Sequence, residues 1–345
     1  MSTSGLPEAT EATAPSDIDE TKTLPRTYGW KQLIRPRGRR ELSMLVIDGL
    51  FIFGVSRFTP YFATAENFKV LILGMAMEAI VLAAMTWLLV SGMFDLSVDG
   101  VVNMSGVIAG GLIAANYDYR LAILVAMAAA GCVGLVNGLA VTKIRMDPLM
   151  TTLGTWWVTQ GIAYGLTKGY PTTSYPNAFL NIGGATPLGV DMPIWYMIVL
   201  VPILGFILAK TRFGYHLYAT GGSREAARLH GVRVDRVTIV AFLVVALTAG
   251  LTGVVYASQL NTAAPNVVNG LNLRVIGGAV IGGTSLYGGI GTVPGAFLGL
   301  LFMDMITNAS TVLGVSPYWQ YALLGGVLLL AVAADAIAAR RVRLR

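Results

Sequence analysis

The chain has very few of the residues from which disulfide frameworks, metal sites and soluble surfaces are built. It has one cysteine and two histidines among 345 residues, so a disulfide framework is impossible and a metal site is not expected. Only 12% of its residues are charged, which is about half the share of a typical soluble domain. The low charge excludes an ordinary soluble protein and indicates a polytopic membrane protein.

Motifs of nucleotide and catalytic chemistry are also absent from the sequence. It contains no G-x-x-x-x-G-K-[ST] phosphate loop, no G-x-S-x-G elbow and no H-E-x-x-H pair. We therefore expect no catalytic residue and no cofactor bound by this chain, and an integral-membrane enzyme is disfavoured. The net charge of +6 resides in loops and termini, which fits membrane topology better than nucleic-acid binding.

Apolar runs long enough to cross about 30 Å of hydrocarbon recur along the chain. They predict an all-α polytopic membrane protein with about ten transmembrane segments, of which the third, eighth and ninth are the weakest. Two interruptions, one polar and one rich in glycine, predict broken or re-entrant helices. The predicted segments are 42–58, 68–91, 101–116, 121–142, 149–167, 193–210, 238–259, 272–283, 293–312 and 318–337.

Lysine and arginine are distributed asymmetrically along these segments. With the N-terminus inside, 19 of the 24 basic residues fall on the cytoplasmic side, which satisfies the positive-inside rule. Both termini are therefore predicted to be cytoplasmic. We expect a disordered tail over 1–40, a transmembrane domain over 41–338 with a charged cytoplasmic loop at 211–237, and a basic C-terminus over 339–345.

The two interruptions, at 91–100 and 282–291, are candidates for a translocation pathway. Irregular backbone inside a membrane must face protein or a water-filled cavity. Asp95 and Asp99 could line such a pathway or hold its shape. Asp95 could also cap the following helix, with Ser97 as the alternative cap.

Acidic and basic residues within predicted segments are few, so each is a candidate for function. Glu78 lies near the middle of its segment and could bind a polar solute or pair across helices. Asp48, Asp304 and Arg274 lie nearer segment ends, where an interfacial position is expected. The candidate pathway residues are Glu78, Asp95, Ser97, Asp99, Trp156, Trp157, Gly282, Gly283, Thr284 and Ser285.

Four stretches, in order and within roughly 70–335, resemble the permease subunits of bacterial ABC importers for sugars of the ribose, xylose and galactose type. They are G-M-F-D-L-S-V-D-G at 92–100, N-G-L with V-T-K and P-L-M-T-T-L-G-T within 137–155, T-R-F-G with E-A-A-R-L-H-G within 211–231, and V-I-G-G-T-S-L at 280–286. The chain departs from that pattern at Met93, Phe94 and Asp99, in the Trp156–Trp157 pair and in its long N-terminal tail.

The resemblance implies a channel of two permease subunits, identical or different, in the lipid bilayer of a bacterial inner membrane. A cytoplasmic ABC ATPase that binds ATP and Mg²⁺ would drive it, and a periplasmic binding protein would supply the solute. The E-A-A-x-x-x-G spacing then corresponds to a coupling helix that docks on the ATPase. Alternatively, its arginines only fix topology and contact lipid headgroups. The coupling residues are Glu225, Ala226, Ala227, Arg228 and Gly231.

The sequence therefore predicts a permease that passes a monosaccharide or polyol inward and is not itself an enzyme. Trp156 and Trp157 could stack on the solute or belong to an interfacial aromatic belt. One alternative keeps the architecture and carries a branched-chain amino acid. Another is an ion-coupled secondary transporter, which needs no ATPase. The residues do not determine which sugar is carried.

Overall fold

The computed structural model describes residues 38–316, 318–320, 322–330 and 333, so the predicted basic C-terminus and nearly all of the predicted tail lie outside the described residues. About three quarters of the described chain is helical. Its helices are α1 (Gly38–Ser56), α2 (Ala65–Val90), α3 (Val98–Ala114), α4 (Tyr119–Leu139) with a π-helical extension (Ala140–Ile144), α5 (Pro148–Thr167), α6 (Asn177–Gly184), a 3₁₀ turn (Pro187–Gly189), α7 (Met192–Lys210), α8 (Arg212–Gly222), α9 (Arg224–Leu229), α10 (Val234–Gln259), α11 (Leu271–Ile281) and α12 (Val293–Val312).

Within the described residues, five helices are long and apolar enough to cross a membrane, namely α2, α4 with its extension, α7, α10 and α12. Three shorter apolar helices are α3, α11 and a further helix at Tyr318–Leu330. The prediction of an all-α polytopic membrane protein is confirmed, and the total of about ten segments stays a prediction. The short segment predicted at 272–283 corresponds to α11, which has 11 residues and rises only about 16 Å, too little to cross the hydrocarbon core by itself.

Helices α2 and α10 form the centre of the bundle. In the most apolar 18-residue stretch of each of them 67% of the residues are buried, compared with 28% in the corresponding stretch of α7. Every residue of α2 from Met75 to Val90 is buried, so this helix is enclosed on all sides, as expected of a helix that is apolar all round. Helix α10 packs against α2, α3 and α4, while α11 packs against α12 and α2.

Glycine allows the central helices to approach closely. A Cβ atom at Gly253 of α10 would collide with the carbonyl oxygen of Val102 on α3, and one at Gly134 of α4 would lie 2.8 Å from the carbonyl oxygen of Phe242. Small residues at helix contacts are the usual means of packing in membranes, where the lipid is as apolar as the helices. These contacts hold α3 and α4 directly against α10.

Helix starts follow ordinary capping rules, which explains where the apolar runs begin. The side chain of Asp147 accepts hydrogen bonds from the backbone of α5, and Thr292 does so for α12. Both helices carry a proline in their first turn, at Pro148 and Pro294, where the missing N–H costs nothing. The sequence therefore encodes a sharp start for the helix that follows each loop.

Two short strands join loops far apart in the chain. Strand β1 (Thr172–Thr173) pairs antiparallel with β2 (Thr262–Ala263), with Thr172 opposite Ala263. This contact ties the loop before α6 to the segment 260–270 that precedes α11. Two-residue strands carry no sequence pattern of their own, so the pairing had no signal in the sequence.

Candidate translocation pathway and coupling site

The first break is the irregular segment 91–97 between α2 and α3, and a buried polar network holds its shape. Asp95 Oδ1 accepts hydrogen bonds from the backbone nitrogen of Ser97 at 2.7 Å and from its hydroxyl at 2.6 Å. The Asn137 amide of α4 donates to Ser97 Oγ at 3.0 Å, and Thr155 of α5 donates to Asn137 Oδ1 at 2.7 Å. The break is thus tied to helices α4 and α5.

The proposed capping roles of Asp95 and Ser97 differ from what the structure shows. Helix α3 begins at Val98 with Ser97 in the N-cap position, but the Ser97 side chain makes no capping hydrogen bond. Its hydroxyl donates to Asp95 instead. Both side chains therefore stabilise the break itself rather than the amino end of α3.

Asp99 and Asn103, one turn apart on α3, hold the segment that leads into α11. The Asp99 carboxylate accepts from the backbone nitrogens of Gly270 at 2.7 Å and Asn272 at 2.6 Å, so it caps α11 from another helix. The Asn103 amide bonds both the carbonyl oxygen and the nitrogen of Val268 at 3.0 Å. The irregular backbone of 260–270 is thereby satisfied by side chains.

A buried ion pair joins α2 to the short helix α11. Glu78 Oε1 lies 2.8 Å from Arg274 Nη2, with side-chain exposures of 5% and 27% respectively. Asp304 on α12 interacts electrostatically with both groups. Glu78 therefore pairs across helices, as one of its two predicted roles requires, and Arg274 is its partner, while the interfacial position of Arg274 stays a prediction. The sequence alone did not identify Arg274 as the partner of Glu78, because the two residues are brought together only by the packing of α11 against α2.

The two tryptophans of α5 have different surroundings. Their ring centroids are 5.3 Å apart, but Trp157 is 67% exposed while Trp156 is half buried. A Cβ at Gly100 of α3 would lie 3.0 Å from Trp156 Cδ1, so the Trp156 indole packs where α3 begins. Trp156 adjoins the first break and Trp157 lies on the outer surface of the chain.

The second break is the irregular segment 282–292 between α11 and α12. It turns through three glycines in the left-handed region, Gly283, Gly288 and Gly289, which only glycine adopts readily. Its Ser285 nitrogen donates to the carbonyl oxygen of Ile290 at 2.9 Å. The Thr284 side chain is buried, and its hydroxyl has no hydrogen-bond partner within the described residues.

The two breaks contact each other directly. The nitrogen of Gly289 donates to the carbonyl oxygen of Val90, the last residue of α2, at 2.8 Å. A Cβ at Gly92 would lie 3.3 Å from the carbonyl oxygen of Tyr287. Two segments about 190 residues apart in the chain therefore form one irregular region. The sequence predicted both interruptions but not the contact between them.

Helices α8 and α9 occupy most of the charged loop predicted at 211–237. Helix α9 (Arg224–Leu229) is capped by Ser223, whose hydroxyl accepts from the nitrogen of Ala226. It ends in a Schellman motif, because Gly231 has φ +80 and its nitrogen bonds Arg228, while the nitrogen of Val232 bonds Ala227. The spacing E-A-A-x-x-x-G thus forms one helical turn and a half with a glycine stop.

The side chains of α9 point mostly into solvent. Only Ala227 is buried, whereas Glu225, Ala226 and Arg228 are exposed and Leu229 is 87% exposed. Partial desolvation, followed by the charge of Arg228, lowers the pKa of the Arg224 guanidinium. The helix therefore presents a polar and positively charged face with one bare apolar side chain.

A basic cleft of about 400 Å³ lies beside α9 and the start of α10. Asp235 binds Lys143 at 3.0 Å and Arg228 at 3.1 Å. Three more arginines line the cleft and form no ion pair within the described residues. These are Arg145, Arg233 and Arg236.

Several polar residues of this region were not predicted from the sequence. Asn103, Asn137 and Tyr218 carry hydrogen bonds that join different segments. For Asn103 and Asn137 the available signal was an asparagine within an apolar helix, because an amide at membrane depth needs hydrogen-bond partners. The sequence does not say which partners it finds.

An apolar helical bundle whose irregular segments meet inside it, with a short polar helix exposed beside them, is the architecture of a membrane permease. The model of the family described as "Branched-chain amino acid transport system / permease component" matches residues 46–332. The chain belongs to this permease family and is a transport component. No solved structure matches it.

Curated relatives cover most of the chain. It is 37% identical over 294 residues to the L-arabinose ABC transporter permease protein AraH of Azospirillum brasilense, covering 85% of this chain and 87% of that protein. Identity to the L-arabinose transport system permease protein AraH of Escherichia coli (strain K12) is 35%, covering 86% and 90%. Identity to the ribose import permease protein RbsC of Bacillus subtilis (strain 168) is 34%, covering 83% and 90%.

Proposed function

We propose that this chain is one membrane subunit of an ATP-driven importer for a monosaccharide or polyol. A pentose is the first choice, because relatives that match most of the chain are named for L-arabinose and ribose. Two such subunits, identical or different, form the channel in a bacterial inner membrane. A periplasmic binding protein delivers the sugar to them.

The exposed helix α9 is the observation that carries the proposal. A helix of only 6 residues is marginal by itself, yet caps at both ends and the buried Ala227 fix it against the bundle. Arg228 pairs with Asp235, but Arg224 and Glu225 form no ion pair within the described residues, and Leu229 is 87% exposed. A helix of this kind suits a groove on another subunit, into which it docks as a rigid body.

The partner of α9 is a cytoplasmic ABC ATPase, which binds ATP and Mg²⁺ in place of this chain. Arg224, Arg228 and the three arginines of the basic cleft complement an acidic surface. The excess of lysine and arginine in this loop and both termini supports a cytoplasmic position for them. Glu225, Ala226, Ala227, Arg228 and Gly231 form the coupling site.

The breaks, with Glu78 and the Asp95 and Asp99 networks, line or support the path of the sugar. Irregular backbone at membrane depth is tolerated where it adjoins protein or a water-filled cavity. Trp156 lies next to this region and offers an aromatic face, whereas Trp157 faces outward toward lipid or the second subunit. The glycines and hydroxyls at 282–285 belong to the second break.

The rival cargo is a branched-chain amino acid, which the description of the family names. The curated relatives that cover most of this chain are named for sugars and favour the sugar. They are also named as ABC or import permeases, which disfavours an ion-coupled transporter. Direct binding of L-arabinose, ribose and leucine to the cognate binding protein separates the two cargoes.

The coupling site is tested by Gly231→Pro. Proline fixes φ near −65° and removes the backbone donor, whereas Gly231 has φ +80 and donates to Arg228 at 3.0 Å. We expect the variant to insert into the membrane but to lose the ATPase on co-purification. Glu225→Lys is expected to do the same, because it replaces the acidic residue in the first turn of α9 with a cation, which the helix dipole disfavours at that end.

The matched control is Gly169→Pro, in the loop between α5 and α6. Gly169 has φ +84 and donates its backbone hydrogen to Thr167 at 3.2 Å, so the same substitution strains the backbone far from α9. This variant should keep its ATPase. A full complement of ATPase on both Gly231→Pro and Glu225→Lys would refute the coupling assignment.

A further inference from the structure

Three segments far apart in the sequence meet at a cluster of four glycines, which we call the glycine junction. It consists of Gly92 in the first break, Gly221 at the end of α8, and Gly288 and Gly289 in the second break. A Cβ at Gly288 would lie 2.8 Å from the nitrogen of Gly92 and 2.9 Å from the Cα of Gly221. The backbones touch here without side chains between them.

Gly221 is the most confined member of the glycine junction. A Cβ at this position would collide with the carbonyl oxygen of Val90 and lie 2.6 Å from the nitrogen of Gly289. Those two atoms form the hydrogen bond that joins the breaks, at 2.8 Å. The end of α8 therefore packs directly against the hydrogen bond that joins the two breaks.

Tyr218 adds a polar attachment one turn earlier in α8. Its hydroxyl donates to the carbonyl oxygen of Gly291 in the second break at 2.6 Å. Helix α8 ends at Gly222 and α9 begins at Arg224, so only Ser223 lies between them. The Ser223 nitrogen bonds Ala219 and its hydroxyl caps α9, so this one residue is held by both helices.

We propose that the glycine junction transmits the movement of α9 to both breaks, and that Gly221 and Tyr218 are positioning residues for transport. This inference rests on the proposed coupling of α9 to an ATPase. Closely packed backbone transmits displacement because it has no side chain to yield. A single shift of α8 then reaches the first break with its Asp95 network and the second break between α11 and α12.

The chain provides a matched pair of neighbouring glycines for the test. A Cβ at Gly221 would collide with the backbone of Val90 and Gly289, whereas a Cβ at Gly222 would meet nothing within 4 Å. Both variants, Gly221→Ala and Gly222→Ala, are reconstituted with the ATPase and binding protein, and sugar uptake per ATP hydrolysed is measured. We expect Gly221→Ala to bind the ATPase normally and to lose at least about tenfold in this ratio, because overpacking shifts the contact.

Gly222→Ala should stay within about twofold of the unmodified chain, since exposed substitutions that create no contact have small effects. Tyr218→Phe removes only one hydroxyl and keeps the ring, so it tests the same link without overpacking. We expect it to lower the ratio about fivefold, as loss of one hydrogen bond would. If Gly221→Ala does not accumulate in the membrane, Tyr218→Phe decides.

The inference is overturned if Gly221→Ala and Tyr218→Phe both couple as well as Gly222→Ala. It is also overturned if Gly221→Ala loses the ATPase itself, because the glycine junction would then shape α9 rather than transmit its movement. An unmodified chain that binds no ATPase would instead refute the proposed function. The two failures are therefore distinguishable in one set of preparations.

Discussion

Removal of Arg274 is the perturbation whose effect follows most directly from the structure. Its guanidinium lies 2.8 Å from Glu78, whose side chain is 5% exposed. Arg274→Gln leaves that carboxylate without its cation inside the bundle, beside the further acidic group of Asp304. Breaking a buried pair from one side costs about 3–5 kcal/mol.

The lower end of that range applies here, because 27% of the Arg274 side chain stays exposed. We therefore predict that Arg274→Gln lowers the free energy of unfolding by about 3 kcal/mol. The double variant Glu78→Gln with Arg274→Gln should recover part of the loss, since no unpaired carboxylate remains at position 78. The measurement is reversible unfolding in mixed micelles with increasing SDS.

Lys69→Gln is the matched control for this experiment. Lys69 pairs with Asp191 at 3.4 Å with its side chain 57% exposed, and exposed pairs contribute about 0–1 kcal/mol. If Arg274→Gln costs no more than Lys69→Gln, the buried pair does not stabilise the contact of α11 with α2. If the double variant is less stable than both single variants, the reasoning about the unpaired carboxylate is wrong.

Two further predictions concern residues of the candidate pathway. Asp99→Asn should lower the free energy of unfolding by about 1–2 kcal/mol, because an amide nitrogen replaces one of the two oxygens that accept from the nitrogens of Gly270 and Asn272. Asp118→Asn, at an exposed cap with one such bond at 2.8 Å, should cost less, because asparagine caps about as well as aspartate. Equal costs would contradict the interhelical cap. Trp156→Ala should lower the free energy of unfolding by about 2 kcal/mol, because it removes the packing against Gly100. Trp157→Ala, at an exposed ring, should lower it by less than about 1 kcal/mol. A larger loss for Trp157→Ala than for Trp156→Ala would contradict the different surroundings of the two rings.

The positions of the breaks were predictable from the sequence because hydropathy and glycine mark them directly. The interruption predicted at 91–100 became the first break at 91–97, and that predicted at 282–291 became the second break at 282–292. Apolar runs of about 20 residues correspond to single helices, since only a helix satisfies its backbone in lipid. The short helix within E-A-A-x-x-x-G follows from its serine cap and glycine stop.

The partners of the buried polar groups could not be predicted. Arg274 finds Glu78 and Asp99 finds the start of α11 through tertiary contacts between distant helices, which no local pattern encodes. The segment predicted at 272–283 agrees closely with α11 (Leu271–Ile281), because the glycines that follow it mark its end. The irregular segment before it is held by Asn103 through its contact with Val268, which no local pattern indicated.

Sugar uptake by the reconstituted transporter tests the central claim most directly. Proteoliposomes would contain this chain with its cognate ATPase and receive binding protein loaded with labelled L-arabinose or ribose. We predict accumulation that requires ATP, stops with vanadate and is unaffected by a protonophore. Uptake that survives vanadate but collapses with the protonophore would show that an ion gradient, and not an ATPase docked on α9, drives the transport.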